Sequence, residues 1–199
     1  MTATVSSLCV TRGALLAGGL VNTPTFRAVA PATAGSDVGV QFVFEGRSSE
    51  TRALASGGIR RQIGVKLRAM DGCNLVYVMW RLDPRSQIEV STKINPGSRT
   101  HAQCGARGYS KLTASYEARL PALTAGSQHW IYAQIVGDTL DAWVDGQLAW
   151  RGRLPPQASQ VFGPAGIRSD NVSYRVLTMW ATPGQTSAGT PRFLTDGED

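Results

Sequence analysis

The sequence is poor in the residues that usually mark a metal site or a hydrolase. It has three cysteines, Cys9, Cys73 and Cys104, and two histidines, His101 and His129, in 199 residues. No Cys-x-x-Cys pair occurs and the histidines stand far apart, so the ligand spacing of a structural zinc site is missing. Cys73 and Cys104 flank two strand-like runs; they either pair as a disulfide or stand as two separate thiols. Glutamate is scarce: Glu45, Glu50, Glu89 and Glu117 are the only ones before the C-terminal tail. There is no GxSxG elbow, phosphate loop, dinucleotide fingerprint or HExxH motif, and no metal or cofactor is expected. No apolar run approaches the ~18 residues of a membrane helix. The opening "MTATVSSLCVTRGALLAGGLV" lacks an early positive charge and is broken by Arg12, Gly13, Gly18 and Gly19, so it does not read as a signal peptide. The compartment stays open, between cytoplasmic and exported by another route.

Helical periodicity is also missing, and alternation of period two takes its place. "VGVQFVFEG" (38–46), "RQIGVKLRAM" (61–70), "NLVYVMWRL" (74–82) and "QIEVSTKI" (87–94) each set apolar residues against more polar ones. "HWIYAQIVG" (129–137) and "NVSYRVLTMWA" (171–181) are rich in β-branched and aromatic residues, which suit strands. Turn residues separate these runs: Asp71-Gly72 marks a tight hairpin, and "LDPRSQ" carries a proline turn. The longer basic loop 95–108, "NPGSRTHAQCGARG", stands out, because long loops in compact domains often carry function. About ten short strands at this spacing predict an all-β antiparallel sandwich or barrel. One domain is expected over 1–182, followed by a flexible tail over 183–199.

The acidic stretch "GDTLDAWVDGQLAW" (137–150) poses the question of a catalytic cluster. On a helix, Asp138, Asp141 and Asp145 would share a face. Here Leu140, Ala142 and Val144 alternate with Asp141, Trp143 and Asp145, and Asp145-Gly146 is a strong hairpin signal. The stretch therefore reads as strand, turn, strand, with Asp138 and Asp145 at turns, where they brace the backbone.

This hairpin, a proline-rich connection, and "GPAGIRSDNVSYRVLTMW" (163–180) resemble the closing half of the concanavalin A-like lectin/glucanase jelly rolls, which include laminin-G-like domains. Gly163, Gly166, Arg168, Asp170 and Asn171 match the G-x-x-G-I/L-R-x-x-N segment that leads into the last strand of that fold. The resemblance implies an antiparallel sandwich whose final strand lies beside the N-terminal one. It also implies a function among lectins, carbohydrate-binding modules, glycoside hydrolases, polysaccharide lyases and interaction domains. The hydrolase branch needs paired carboxylates on one strand face, about 5–5.5 Å apart for retention, and this chain has no such run.

The basic residues crowd into residues 47–111, opposed there by Glu50, Asp71, Asp83 and Glu89. An anionic partner is implied. The polar faces of the three central strands offer a cationic shelf with one aromatic, and the ligand-contact candidates are Lys66, Arg68, Tyr77, Arg81, Glu89 and Lys93, with Trp143 as a second stacking platform. The expected partner is a glycan or acidic polymer, or a protein. Nucleic acid is disfavoured for want of a recognition helix or aromatic RNA motif. The chain reads as a non-catalytic, lectin-like module. The alternatives are a lyase or atypical hydrolase, with Tyr109, His101, Arg99 and Arg107 as base and charge neutralisers, or an assembly scaffold.

Overall fold

A computed structural model describes residues 2–184. The chain forms an antiparallel β-sandwich of one eight-stranded and one seven-stranded sheet. In the eight-stranded sheet, β15 (Ser173–Ala181), β5 (Asp37–Gly46), β11 (Gln128–Val136), β12 (Thr139–Val144), β13 (Gln147–Arg153) and β10 (Ala114–Glu117) lie side by side in that order. β1 (Ala3–Thr4) and β3 (Leu20–Val21) both pair with β15, so the last strand does run beside the N-terminal ones. In the seven-stranded sheet the order is β2 (Cys9–Arg12), β4 (Thr25–Ala30), β14 (Ala165–Asp170), β6 (Gln62–Asp71), β7 (Asn74–Arg81), β8 (Gln87–Ile94) and β9 (Tyr109–Lys111). The tail expected over 183–199 lies outside the described residues from 185 onward. Pro183 bridges to Thr33, and the Gly184 amide donates to the Ala32 carbonyl.

The alternation accounts for the core. Phe42, Val40, Val65, Val78, Trp80, Val90, Ile131, Ala142 and Ile167 all turn inward and are buried between the sheets. Their neighbours in sequence therefore face outward, one set from each sheet. The Asp145-Gly146 tip between β12 and β13 has positive φ at both residues, 50° and 86°, as a tight two-residue hairpin requires. Asp145 also braces this end. Its carboxylate accepts the Trp130 amide at 2.8 Å and lies 2.6 Å from His129 Nδ1. Asp141 pairs with Arg151 and Asp138 with Arg153, each at 2.6 Å, and no group of three metal-ligating side chains forms among the described residues.

Candidate functional site

The seven-stranded sheet carries an unusual outward face, built around β14. That strand lies between β4 and β6. Its register sets Arg168 beside Arg27, and Asp170 beside Thr25 on one side and Gln62 on the other. Asp170 is fully buried and accepts from Arg27 at 2.7 Å, Gln62 at 2.6 Å and Arg168 at 3.2 Å. Burial alone would raise the Asp170 pKa. The two guanidinium charges outweigh it and hold the carboxylate well below its ordinary range. Arg27 also donates to the carbonyls of Phe26 and Ser169, at 2.8 and 2.7 Å.

Arg168 extends this network into an aromatic layer. Its guanidinium lies 4.5 Å from the Tyr77 ring centre, and Nη1 donates to the Tyr109 hydroxyl at 3.1 Å. Tyr77 and Tyr109 are stacked at 5.8 Å. Lys93 lies over Tyr109 at 4.8 Å and reaches the Gly72 carbonyl and His101 Nδ1. Burial pushes the Tyr109 pKa up, but the charges of Arg168 and Lys93 outweigh it and the net shift is downward. Tyr109 reaches this place because β9 pairs with β8, opposite Lys93. His101 comes from the short helix α1 (His101–Cys104), which the Cys73–Cys104 disulfide fastens to the β6–β7 turn. Pairing is thus the outcome of the two options that the cysteine spacing left open.

Two further features complete a groove of about 660 Å³. Residues 52–56 form one wall, and Asn171 holds the segment 52–60 that contains them at both ends. Its amide donates to the carbonyls of Arg52 and Arg60, each at 2.9 Å, and its oxygen accepts the Arg52 amide at 2.7 Å. Asn171 has φ 55°, a left-handed conformation that asparagine tolerates better than most residues. On the other side Glu89 gathers three cations, Arg60 at 2.9 Å, Arg81 at 3.0 Å and Lys111 at 3.1 Å. Seven lining side chains are Arg or Lys, and Glu89 is the one carboxylate among them. With Asp170 beneath the floor counted as well, the groove retains five positive charges in excess.

The expected contact residues divide. Arg81 and Glu89 line the groove. Tyr77, Lys66 and Lys93 lie on the expected sheet face but are buried there, at 2%, 0% and 0% exposure, so they support the floor rather than present themselves to solvent. A small apolar cluster of Val29, Ala69, Leu75, Tyr77 and Met79, with Tyr109 packed on it, explains why this face is covered and not solvated. Arg68 does not join the shelf. A register shift after Leu67 gives it φ 49° and sends its guanidinium to the Ala158 carbonyl at 2.8 Å. Trp143 stands apart from the other candidates: β12 belongs to the eight-stranded sheet, so its indole lies on the opposite side of the sandwich. Arg27, Arg60, Lys111 and Arg168 escaped the sequence reading as groove residues. The alternation in "TFRAVA" (25–30) is the one local signal that could have placed Arg27 on an outer face.

No family model and no curated protein matches this sequence. Solved structures do. The carbohydrate-binding module CBM66 from Bacillus subtilis superposes with a TM-score of 0.57 at 10% identity, covering 88% of this chain and 92% of that one. The metal-free carbohydrate recognition domain of Emp46p superposes with a TM-score of 0.51 at 11% identity, covering 88% of this chain and 87% of that one. The fold is therefore the concanavalin A-like β-sandwich, in agreement with the expectation from the closing hairpin.

Proposed function

We propose that the chain is a glycan-binding module that takes an acidic sugar, bearing carboxylate or sulfate, in the groove of the seven-stranded sheet. The observation that carries this reading is the charge excess in a groove where five of the seven lining cations are held by carboxylates. Arg27 and Arg168 are locked by Asp170, and Arg60, Arg81 and Lys111 by Glu89. Such side chains lose little freedom on binding, so more of the contact energy reaches the ligand. Arg81 adds a buried Nε with no hydrogen-bond partner among the described residues, a donor that a ligand oxygen would satisfy. The fold neighbours include a carbohydrate-binding module and a carbohydrate recognition domain, which supports a sugar as the ligand.

The test is a glycan array probed at low and high salt. Acidic glycans should bind at low salt and weaken as the Debye length shrinks. R60A/R81A should weaken them by about tenfold or more, the scale of one lost charge-assisted hydrogen bond. If no glycan binds the native protein at low salt, the sandwich is an assembly scaffold instead.

A lyase is the second reading, and one observation favours it. Tyr109 lines the groove with its pKa shifted downward beside Arg168 and Lys93, and His101 lies 6.5 Å from its ring. On a uronate, a Tyr109 phenolate would take the proton next to the carboxylate. The electron pair would then form a carbon–carbon double bond as the glycosidic carbon–oxygen bond breaks, and the leaving oxygen would take the proton back. Turnover of an acidic polysaccharide to unsaturated products, lost in Y109F, would establish this reading. Binding without turnover would leave the non-catalytic one.

A further inference from the structure

The opposite side of the sandwich carries a feature that the groove does not use. Across the outer face of the eight-stranded sheet, strand register aligns Trp180 with Gly39, Gly39 with Tyr132, and Tyr132 with Trp143. Trp130 lies two residues along β11, on the same face. The neighbours of these four rings confirm which way they point: Ile131, Ala133, Ala142, Val144, Met179 and Ala181 are all in the core. The rings touch one another. Tyr132 and Trp143 lie 5.3 Å apart, Trp130 and Trp180 6.2 Å, and Tyr132 and Trp180 6.5 Å with planes only 14° from parallel. Gly39 makes the row flat, because a Cβ there would run into the Trp180 indole. With glycine beneath it, the indole lies down on the sheet.

We infer that this strip is a second carbohydrate-binding surface, separate from the groove, which takes a neutral polysaccharide chain lying across the strands. Two properties of the face select that occupant. First, its arginines are each matched to a carboxylate, Arg151 to Asp141, Arg153 to Asp138 and Arg175 to Glu45, and Asp37 on the same face is buried, accepting the Thr182 amide at 3.0 Å and the Tyr132 hydroxyl at 3.5 Å, so the strip offers no cationic excess to an anionic ligand. Second, amide and hydroxyl side chains occupy the neighbouring register positions: Gln41 lies opposite Trp130 and Thr178, and Gln134 opposite Asp141. Rings with hydrogen-bonding groups beside them suit a sugar, which presents C–H faces edged by hydroxyls. A second protein copy fits less well. All four rings are more than half buried, so at about 150–250 Å² apiece they leave well under about 500 Å² to contact, against about 800 Å² per partner in a stable interface.

The experiment is depletion of the full chain from solution by microcrystalline cellulose, chitin and insoluble β-1,3-glucan at low and high salt. At least one should retain the native protein equally at both salts. Y132A/W143A should lose about tenfold or more in affinity, the scale of an aromatic hot spot, while unfolding at the native midpoint or binding acidic glycans as before. Trp143→Phe should recover part of the loss. R60A/R81A should bind the neutral polysaccharide unchanged, which separates failure of this surface from failure of the groove. The inference is overturned if none of the three polysaccharides retains the native protein, or if Y132A/W143A binds as well as native. A change confined to sedimentation would overturn it too, since that would make the strip a contact between copies.

Discussion

The two outer faces of this sandwich follow the same alternation and end up as different surfaces. On the seven-stranded sheet the outward positions hold Arg27, Arg168, Asp170, Lys66 and Lys93, all nearly or fully buried. On the eight-stranded sheet they hold Trp130, Tyr132, Trp143 and Trp180, all partly exposed. The inversion is physical. A face of buried ions must be paired and covered, and here the loop at 52–56, the disulfide-held loop at 95–108 and two carboxylates do that. A face of aromatic rings packs on itself and on glycine, and needs no cover. Preorganisation of charge thus belongs to one side of the molecule and preorganisation of apolar area to the other.

The largest break in this contrast should come from Asp170. Asp170→Asn leaves two buried guanidinium groups uncompensated, and about 3–5 kcal/mol of stability should be lost, measured by denaturant unfolding. The same residue sets a pH signature. Its folded pKa is depressed, so its contribution is complete above the unfolded value of about 3.9 and is lost as pH falls below it. Native protein should therefore destabilise steeply in acid below about pH 4, and the Asp170→Asn variant should show a shallower slope there.

Removal of the disulfide, with both Cys73 and Cys104 changed to Ser, comes next. The bond closes a sequence separation of 31, for which chain entropy predicts about 3–4 kcal/mol. Hydrogen exchange should show the loosening concentrated in 95–108 and in Tyr109, with the aromatic strip unaffected. Gly39→Ala perturbs the other face instead. Its methyl group meets the Trp180 indole, and overpacking of this kind costs about 1–3 kcal/mol; tryptophan fluorescence should shift as the ring lifts, while acidic-glycan binding stays the same. Smallest of all, Asp141→Asn breaks a surface pair with the exposed Arg151 and should leave the unfolding midpoint unchanged.

The local part of this architecture was readable from sequence, and the non-local part was not. The β6–β7 hairpin and the tip at Asp145-Gly146 depend on neighbours in the chain and on turn residues, with left-handed backbones at Asp145 and Gly146, so their signals are contiguous. The partnership of Arg27 with Asp170 spans 143 positions, and nothing local says that β14 inserts between β4 and β6. Arg68 misled for a related reason: one irregularity in register turns every later side chain to another direction. Trp143 was correctly placed on the outward side of its strand, but a strand's own sequence does not say which of two sheets it joins. The burial of Lys66 and Lys93 was hidden because lysine in an alternating strand normally marks the solvated face.

The central claim is that the groove selects charge, and one titration tests it most directly. Acidic glycans that bind on the array should be compared with their carboxyl-reduced or desulfated counterparts at fixed low salt. The account predicts at least about tenfold weaker binding once the charge is removed, equivalent to one charge-assisted contact. Equal affinity for the charged and neutral forms would contradict it.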